Sequence, residues 1–482
     1  SDDAKRFLIE LTQIVPTKLS DEERFTYSLI EISLNKKIFD IDIFKRHLWD
    51  PNVYLDEILQ SISILNNNNS IQLDQKYEFI CSIIEQSEKN LGIAKNNISL
   101  KFINLEEVAK YKIMDIMLAF DEVVSTFDID INRANNLDRK IEKLKIDLNL
   151  FQYWLKDDYS KFQEFNFSEK INYDEFYRVY IGNEYNYKNV AKLSEKKILS
   201  LQNKMFKIAY PLYLKDNDKP ILIDRSDSLK IISSVLYKNE TINSIAHGCI
   251  NSVNKIKDLL ILDKSIDIKD YSRKTKLKIL SSIDNNFNQN EILFVENIYN
   301  DMPDSLEIKI IDIEQDNDIN LYLKNQIFFD TFLKIVPGTN YFQYRLIDND
   351  SADRMFVNPI VRYGWPYYSL SNYYKYFDDN LKLSSLHNEL IIVVGSYIEN
   401  LFFNNIVNYN DCIQKFENLA ILNNVNATNN VSLFSDFNLY FNRVFVGSSQ
   451  LRVYRDLFIS ERSELLDFNN QILDSKYNFQ IK

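Results

Sequence analysis

The feature that most limits what this chain can fold into is its scarcity of glycine and proline. Only 7 Gly and 8 Pro occur among 482 residues, far fewer than an average protein of this length contains. These two residues make the tight turns that separate short elements. A chain with so few of them is expected to form long, uninterrupted helices. Each retained glycine then marks a place where the backbone needs positive φ or very close packing.

Composition and charge narrow the classes of protein that this chain can belong to. The hydrophobic share of 45% and the charged share of 26% are ordinary for a globular protein. A net charge of −12 gives no basic field that would recruit nucleic acid, so no nucleic-acid partner is expected. No apolar run approaches the about 18–20 residues that cross a bilayer. The chain begins at Ser1 without Met, which is typical of a removed signal peptide or tag and favours an exported location over a cytoplasmic one.

Hydrophobic periodicity predicts helix over most of the chain. In residues 137–155, apolar side chains recur at the i, i+4, i+7 and i+11 spacing of one helix face. They are Leu137, Ile141, Leu144, Leu148, Phe151 and Leu155. Alternation over residues 306–313 predicts a half-buried strand, and residues 322–329 predict a second one. Two Asn-rich runs, residues 66–69 and 423–430, predict exposed loops. The fold class is therefore mostly α, with a small β element near 304–330.

The residues that usually carry catalysis are sparse. Zinc hydrolysis usually needs three protein ligands and an open position for water, yet the chain has only 3 His, none of them in an HExxH motif. His387 stands two residues before Glu389, a spacing that points the two side chains away from each other on a helix. The 3 Cys are widely separated, which indicates buried thiols and no disulfide framework. These patterns predict no catalytic residue, no metal ligand and no cofactor.

Four short segments carry small-residue landmarks in a fixed order. They are LKIVPGT at 333–339, YGWPYYSL at 363–370, LHNELIIVVGSY at 386–397 and VGSSQLR at 446–452. This order resembles the family catalogued as domain of unknown function 885, whose members are large, mostly helical bacterial proteins similar to gluzincin-type zinc metallopeptidases. Typical members carry HExxPGH, EGWALYxE, an RxxRLVVDxGxH-like pattern and PGQxxxY. Two upstream segments, 173–177 and 193–198, resemble the family's GxxFY and LTPEEI, so the resemblance covers most of the chain.

The departures from the family's motifs are systematic. The resemblance places the first His at Leu333, the general-base Glu at Lys334, the second His at Thr339 and the ligand Glu at Tyr363. The substituted positions in the two later motifs are Leu386, Glu389, Val393, Tyr397, Val446, Ser448 and Arg452. The positions that survive are those that shape backbone and packing, namely Pro337, Gly338, Gly364, Trp365, Gly395 and Gly447. A zinc site without its ligands cannot activate water.

The resemblance implies a large helical fold that encloses a cleft as one continuous structural unit. Residues 1–300 would form one wall, and residues 301–482 would carry the β element and the altered motifs. We therefore expect a non-catalytic homologue that kept the cleft to bind a peptide or protein partner. Aromatic side chains offer rigid contact area for such a partner. The expected lining residues are Tyr341, Tyr344, Tyr363, Tyr367 and Tyr368, for which plain core packing is the alternative.

Two other functions stay open at this point. One is a hydrolase whose chemistry was rebuilt from other residues, for instance Lys334 with Asp330 one helical turn before it. The other is a purely structural or interaction protein in which the cleft has filled in. An open pocket around Thr339 and Tyr363 would favour binding, a packed interior would favour structure, and converging titratable groups would favour an enzyme.

Overall fold

The computed structural model shows a chain that is helical almost throughout, which confirms the predicted mostly α fold class. The structure describes residues 2–67, 71–102, 105–126, 131–182, 185–221, 224–238, 241–242, 245–268, 275–282, 306–313, 322–347, 358–460 and 464–473. These residues form two compact units. The first unit is built mainly from Leu34–Asn172, and the second from Leu11–Ser33 and the chain after Tyr173. Nowhere in the described ranges does a helix combine the length and apolar character needed to cross a membrane.

The chain up to residue 182 contains eight described α-helices and one small sheet. The helices are α1 (Asp2–Thr12), α2 (Asp21–Ile38), α3 (Asn52–Asn67), α4 (Leu73–Asn97), α5 (Leu105–Thr126), α6 (Ile131–Asp157), α7 (Phe167–Lys170) and α8 (Tyr173–Ile181). A π-helical turn, Phe39–Phe44, directly follows α2. Strands β1 (Leu100–Lys101) and β2 (Gln163–Glu164) pair in parallel.

The core of the first unit is an apolar interface among α3, α4, α5 and α6. All six residues of the predicted helix face between 137 and 155 are buried in α6, which confirms that prediction. Trp49 closes one end of this unit: its ring stacks on Phe165 at a centroid distance of 4.5 Å. The Trp49 indole N–H donates to the Phe44 carbonyl at 3.1 Å. Its backbone carbonyl accepts a hydrogen bond from the Tyr159 hydroxyl at 3.1 Å.

The second unit contains the remaining helices. They are α9 (Tyr187–Tyr213), α10 (Arg225–Leu236), α11 (Ile245–Asp263), α12 (Lys324–Lys334), α13 (Thr339–Ile347), α14 (Pro359–Tyr373), α15 (Asp379–Phe403), α16 (Tyr409–Ala420), α17 (Asn424–Ser432), α18 (Tyr440–Ser460) and α19 (Leu465–Leu473). Helix α15 packs against α9 on one side and α18 on another, and α18 packs against α14. The contacts of α18 with α14 and α15 bring the segments at 363–370, 386–397 and 446–452 together.

Two small sheets complete the second unit. Strand β3 (Thr241–Ile242) pairs antiparallel with β6 (Tyr322–Leu323). Strand β4 (Thr275–Ser282) pairs in parallel with β5 (Leu306–Ile313), in a register that runs from Thr275 opposite Leu306 to Ser282 opposite Ile313. The predicted strand over 306–313 is therefore confirmed, and with it the small β element near 304–330.

The prediction of a strand over residues 322–329 is wrong beyond its first two residues. Helix α12 begins at Lys324 and buries the adjacent residues Ile327, Phe328 and Phe329. Neighbouring side chains point to opposite faces of a strand, so a half-buried strand could not bury all three. The burial of three consecutive residues suits a helix that other elements cover over a wide face.

The Asn-rich run at 423–430 is also not the exposed loop that its composition predicts. Asn423 caps helix α17, because its side-chain oxygen accepts a hydrogen bond from the Asn426 amide at 2.8 Å. Ala427 and Val431 are buried beneath this helix. Asn is a preferred helix-capping residue, and that role explains the start of the run. In the other Asn-rich run, 66–69, helix α3 ends at Asn67 and the rest lies outside the described residues.

Candidate functional site

Gly364 and Gly447 allow helices α14 and α18 to touch through their backbones. A Cβ atom on Gly364 would lie 2.3 Å from the Gly447 carbonyl carbon. A Cβ atom on Gly447 would lie 2.1 Å from the Ile360 carbonyl oxygen. Both distances are far below van der Waals contact, so neither position accepts a side chain unless the helices move apart. The two glycines fix how closely two of the motif segments approach.

The other two motif glycines also face atoms that exclude a side chain. A Cβ on Gly395 in α15 would meet the Phe441 ring at 2.1 Å, and one on Gly338 would meet the Leu333 carbonyl oxygen at 1.9 Å. The turn that holds Gly338 is tied to α14, because the Trp365 indole N–H donates to the Pro337 carbonyl at 2.7 Å. All six surviving motif positions therefore shape the backbone or the packing in this structure.

The four positions where the resemblance would place the zinc-site residues have other surroundings here. Leu333 is buried in the core, and Lys334 is half-buried. The Thr339 hydroxyl donates to the Leu333 carbonyl at 3.3 Å. Tyr363 packs edge-on against Tyr440 at a centroid distance of 5.8 Å. Across the part of the chain that the structure describes, no three His, Cys, Asp or Glu side chains group as metal ligands.

A buried carboxylate, Glu399, lies in helix α15 within hydrogen-bonding reach of α18. Only 1% of Glu399 is exposed. Its Oε2 atom accepts hydrogen bonds from the Asn442 backbone amide at 3.0 Å and from Asn442 Nδ2 at 2.7 Å. Its Oε1 atom is buried and has no hydrogen-bond partner among the described residues. Burial raises the pKa of Glu399 to about 7, although the bonds from Asn442 and the nearby charge of Arg443 act to lower it.

Arg443, the residue after Asn442, is a buried cation in the same region. Its Nε donates to the Tyr180 carbonyl at 3.2 Å. Its guanidinium carbon lies 5.2 Å from the ring centroid of Tyr180 and 5.3 Å from that of Tyr363, the position of the family's ligand Glu. Burial lowers the pKa of Arg443, and the neighbouring tyrosines and Glu399 act to raise it. A cation thus sits beside the position where the family resemblance implies a zinc ligand.

Neutral polar side chains bond to Asn442, the residue that connects to Glu399 and precedes Arg443. The Asn442 Oδ1 atom accepts hydrogen bonds from Tyr177 at 3.2 Å, Ser396 at 3.1 Å and Asn400 at 2.9 Å. We call Glu399, Asn442, Arg443 and these partners the polar centre. Sequence reasoning missed it. The available signal was Glu399, the one carboxylate in the mostly apolar stretch at 390–403.

A second feature is a groove of about 530 Å³ where α9 meets α14, α15 and α18. It is lined by Lys197, Lys204, Lys207, Ile208, Tyr367, Leu370, Ser371, Tyr374, Ser385, Leu386, Glu389 and Arg452. We call it the basic groove, because four of these side chains are cationic and one is acidic. Six of its residues belong to the motif segments: Lys197 to the upstream segment 193–198, and Tyr367, Leu370, Leu386, Glu389 and Arg452 to the later ones. The formal charge of the lining is +3 in a chain of net charge −12.

Glu389 organises one end of the basic groove. Its Oε1 atom lies 3.0 Å from Arg452 Nη1 and 3.3 Å from Lys197 Nζ. Burial alone would raise the pKa of Glu389, but the charges of Arg452 and Lys197 outweigh it, so the pKa is lowered. Arg452 also donates from Nε to the Ser371 hydroxyl at 3.3 Å. Lys204 and Lys207 are exposed further along α9, and neither makes an ion pair with Glu389.

A third feature is a pocket of about 270 Å³ enclosed by α10, α12, α15 and α17. It contains Asp330 and Lys334, the pair of the hydrolase hypothesis, together with His387. His387 Nε2 donates to the Ala420 carbonyl at 2.8 Å, and burial lowers the pKa of the ring. Asn and Ser side chains form much of the remaining lining. We call this the amide pocket.

The structure divides the tyrosines that were expected to line a cleft. Tyr341 and Tyr368 are fully buried, with hydroxyl groups bonded to the Asp267 carbonyl at 2.7 Å and to Asn469 Oδ1 at 2.9 Å. Tyr344 packs against the same core. Tyr363 contacts the polar centre, and Tyr367 lines the basic groove. Core packing accounts for three of the five residues.

The remaining substituted motif positions are mostly structural in this fold. Val393 and Val446 are buried core residues. The Ser448 hydroxyl bonds to the Phe445 carbonyl of its own helix at 3.3 Å. Tyr397 is half-buried, and burial raises its pKa.

Comparison with known structures identifies proteins of the same fold. One is described as a candidate lipoprotein of unknown function from Shewanella oneidensis, with a TM-score of 0.72 and 16% identity over 98% of this chain and 88% of the other. Another is a candidate lipoprotein from Colwellia psychrerythraea, with a TM-score of 0.60 and 11% identity over 83% of this chain and 72% of the other. At these identities the likeness shows the fold alone.

The sequence comparisons give no assignment. No family model and no curated protein matches the chain. The resemblance to domain of unknown function 885 therefore stays a prediction.

Proposed function

We propose that this chain is a non-catalytic relative of the zinc metallopeptidases that it resembles, and that it binds an acidic segment of a peptide or protein in the basic groove. The observation that carries the proposal is the composition of that groove. Residues from the second, third and fourth motif segments line it, but they now present Tyr367, Glu389 and Arg452 beside three lysines of α9. This set suits charge recognition and contains no group of metal ligands.

The groove offers both charge and apolar surface to a ligand. Ile208, Leu370 and Leu386 supply apolar lining, where an aliphatic or aromatic side chain of a bound segment would be removed from water. Lys204 and Lys207 supply exposed positive charge. A carboxylate near these lysines would be attracted over several ångströms, and salt would screen the attraction. The fitting partner is a segment in which acidic and apolar residues alternate.

An exported, membrane-anchored location is also part of the proposal. The two structural relatives are described as candidate lipoproteins, and an exported, membrane-anchored location for this chain would agree with that description. The predicted cleft, with residues 1–300 as one wall, also stays a prediction. The basic groove lies wholly within the second unit, so the binding proposal does not depend on that cleft.

A hydrolase with a rebuilt active site is the second candidate. The observation in its favour is that Asp330, Lys334 and His387 all line the amide pocket. Lysine and carboxylate side chains that converge in a pocket can act as base and acid. This candidate places the chemistry in a different pocket from the basic groove, so the two candidates can be separated by mutation.

Peptide binding and its charge dependence test the proposal. A fluorescein-labelled peptide of alternating Glu and Leu would be titrated with the full chain, and anisotropy would give the dissociation constant. The double charge reversal Lys204→Glu with Lys207→Glu is expected to weaken binding at least about tenfold, because it changes the lining from +3 to −1. The matched control is Lys192→Glu with Lys196→Glu, which makes the same charge change at exposed positions of α9 outside the groove.

Three results would count against the proposal. The first is equal weakening by the two double variants, which would show only a general charge effect. The second is equal affinity for a peptide in which Gln replaces Glu. The third is cleavage of the peptide, detected by mass spectrometry after overnight incubation, that continues in the groove variant and stops in Lys334→Met. That pattern would favour the rebuilt hydrolase.

A further inference from the structure

The amide pocket is chemically unlike the basic groove. Eight of its seventeen lining residues are Asn, Gln or Ser, and only Asp330 and Lys334 carry full charges at neutral pH. His387 adds no charge at pH 7, because burial lowers its pKa from an ordinary value of 6.5. The formal charges of the lining therefore cancel. A pocket of this kind favours a ligand that is polar and has no net charge.

The amides of this pocket are already held in place and keep acceptor capacity. Asn388 Nδ2 donates to the Ser384 carbonyl at 3.0 Å, and Asn430 Nδ2 donates to the Asn426 carbonyl at 2.8 Å. Each amide group thus uses a donor on its own helix, while its oxygen can accept from a ligand. The two amides lie on different helices, α15 and α17, and both line the pocket, so both can bond to one ligand. Each amide also keeps a second N–H, so the lining can both donate to and accept from the hydroxyl groups of a ligand.

The volume of the amide pocket and the apolar part of its lining narrow the class of ligand further. A volume of about 270 Å³ is slightly below the usual range of small-molecule pockets, about 300–1,000 Å³. It therefore suits one small ring. Phe329, Ile391 and Leu433 lie among the amides and can pack against the C–H face of such a ring. A sugar ring combines an apolar face with a rim of hydroxyl donors.

We infer that the amide pocket binds a single ring of a neutral sugar. The inference rests on residues that the basic groove does not share, so it is independent of the proposed peptide binding. It also gives a function to the Asn-rich run at 423–430. Folded as α17, that run places amide side chains along one wall of the pocket.

Saturation-transfer difference NMR on the full chain tests this inference with glucose, galactose and N-acetylglucosamine as probes. At least one sugar is expected to give saturable transfer. Asn430→Ala and Asn388→Ala should each weaken that binding about tenfold, the effect of losing one hydrogen bond. Asn424→Ala is the control on the same helix as Asn430, since its amide bonds to Glu417 outside the pocket. Alanine is a better helix former than asparagine, so loss of folding is not expected, and thermal unfolding checks it.

Several outcomes would overturn the inference. One is the absence of saturable transfer from all three sugars to the unsubstituted chain. Another is binding that survives unchanged in both pocket variants. A third is binding of glucuronate or glucosamine more than tenfold tighter than glucose, because a charged ligand would then be the better fit.

Discussion

Among the described residues, each unit of this protein contains a fully buried carboxylate, Asp50 in the first and Glu399 in the second, and the two have different hydrogen-bond partners. In the first unit Asp50 is fully buried. The Nε atom of Arg46, four residues earlier, donates to Asp50 Oδ2 at 2.9 Å. Its other oxygen accepts the Asn52 amide at 2.9 Å. In the second unit Glu399 is equally buried, yet one of its oxygens has no partner among the described residues. Asp50 is a satisfied structural group, whereas Glu399 is held at a cost in free energy.

This difference between the two carboxylates indicates that the second unit contains buried polar groups that lower its stability. The first unit follows the simple rule of apolar faces packed together, with α6 as its clearest case. The second unit brings a carboxylate, a guanidinium and several amides into its interior at the crossing of α15 and α18. Ionisable groups that are buried despite the cost of removing them from water are typical of functional or formerly functional sites. In this chain they lie beside Tyr363, where the family resemblance implies a zinc ligand.

The largest effect is expected at the glycine contact of the second unit. Gly364→Ala should lower the free energy of unfolding by at least about 3 kcal/mol, because the new methyl group would press on the backbone of α18 at Gly447. The control lies in the first unit: Gly92 is inside α4, five residues before the helix ends, with nothing within 4 Å of an added Cβ. Gly92→Ala should therefore raise stability by roughly 0.5–1 kcal/mol. Urea unfolding measures both changes, and a similar small effect for the two variants would contradict the close contact.

A smaller effect of opposite sign is expected at Glu399. Its pKa is about 7 in the folded chain, against 4.5 ordinarily, so the folded state holds the proton more tightly than the unfolded state. The contribution of Glu399 to the stability of the protein therefore falls as pH rises from about 4.5 to about 7. Glu399→Gln removes this loss. The variant should exceed the unsubstituted protein by up to about 3 kcal/mol at pH 8, and the advantage should vanish near pH 4.

Urea unfolding at a series of pH values measures this dependence. Asp50→Asn is the matched variant in the first unit, and it should be destabilising because it weakens a satisfied pair with Arg46. An advantage of Glu399→Gln that does not change with pH would show that the carboxyl is not the titrating group.

Much of the fold could be predicted from the sequence, because its signals are local. The scarcity of glycine and proline gave long helices, the spacing of apolar residues gave the buried face of α6, and alternation gave strand β5. The predictions failed where the amino-acid content of a segment was used without regard to the position of each residue in it. Residues 423–430 were interpreted by their Asn content, although Asn423 is a helix cap and Ala427 and Val431 supply the buried face.

The candidate site could be predicted only in part. The segments that carry Gly364, Gly395 and Gly447 do meet in space, because α14, α15 and α18 pack together. The charges of the basic groove could not be foreseen, since its three lysines come from α9, more than 150 residues before the residues of α14, α15 and α18 that complete the lining. Arg443 and Glu399 were missed for the same reason. These two residues come close only where α15 crosses α18, and no local sequence pattern predicts that crossing.

We propose that the second unit keeps the backbone framework of the zinc peptidases that the chain resembles and has lost their chemistry. The most direct test is the zinc content of the untagged full chain, measured by mass spectrometry after incubation with zinc and dialysis against metal-free buffer. We predict less than about 0.1 zinc per chain, because Leu333, Thr339 and Tyr363 cannot replace the usual imidazole and carboxylate ligands. One tightly held zinc per chain would contradict it and would place the true ligands outside the four motif segments.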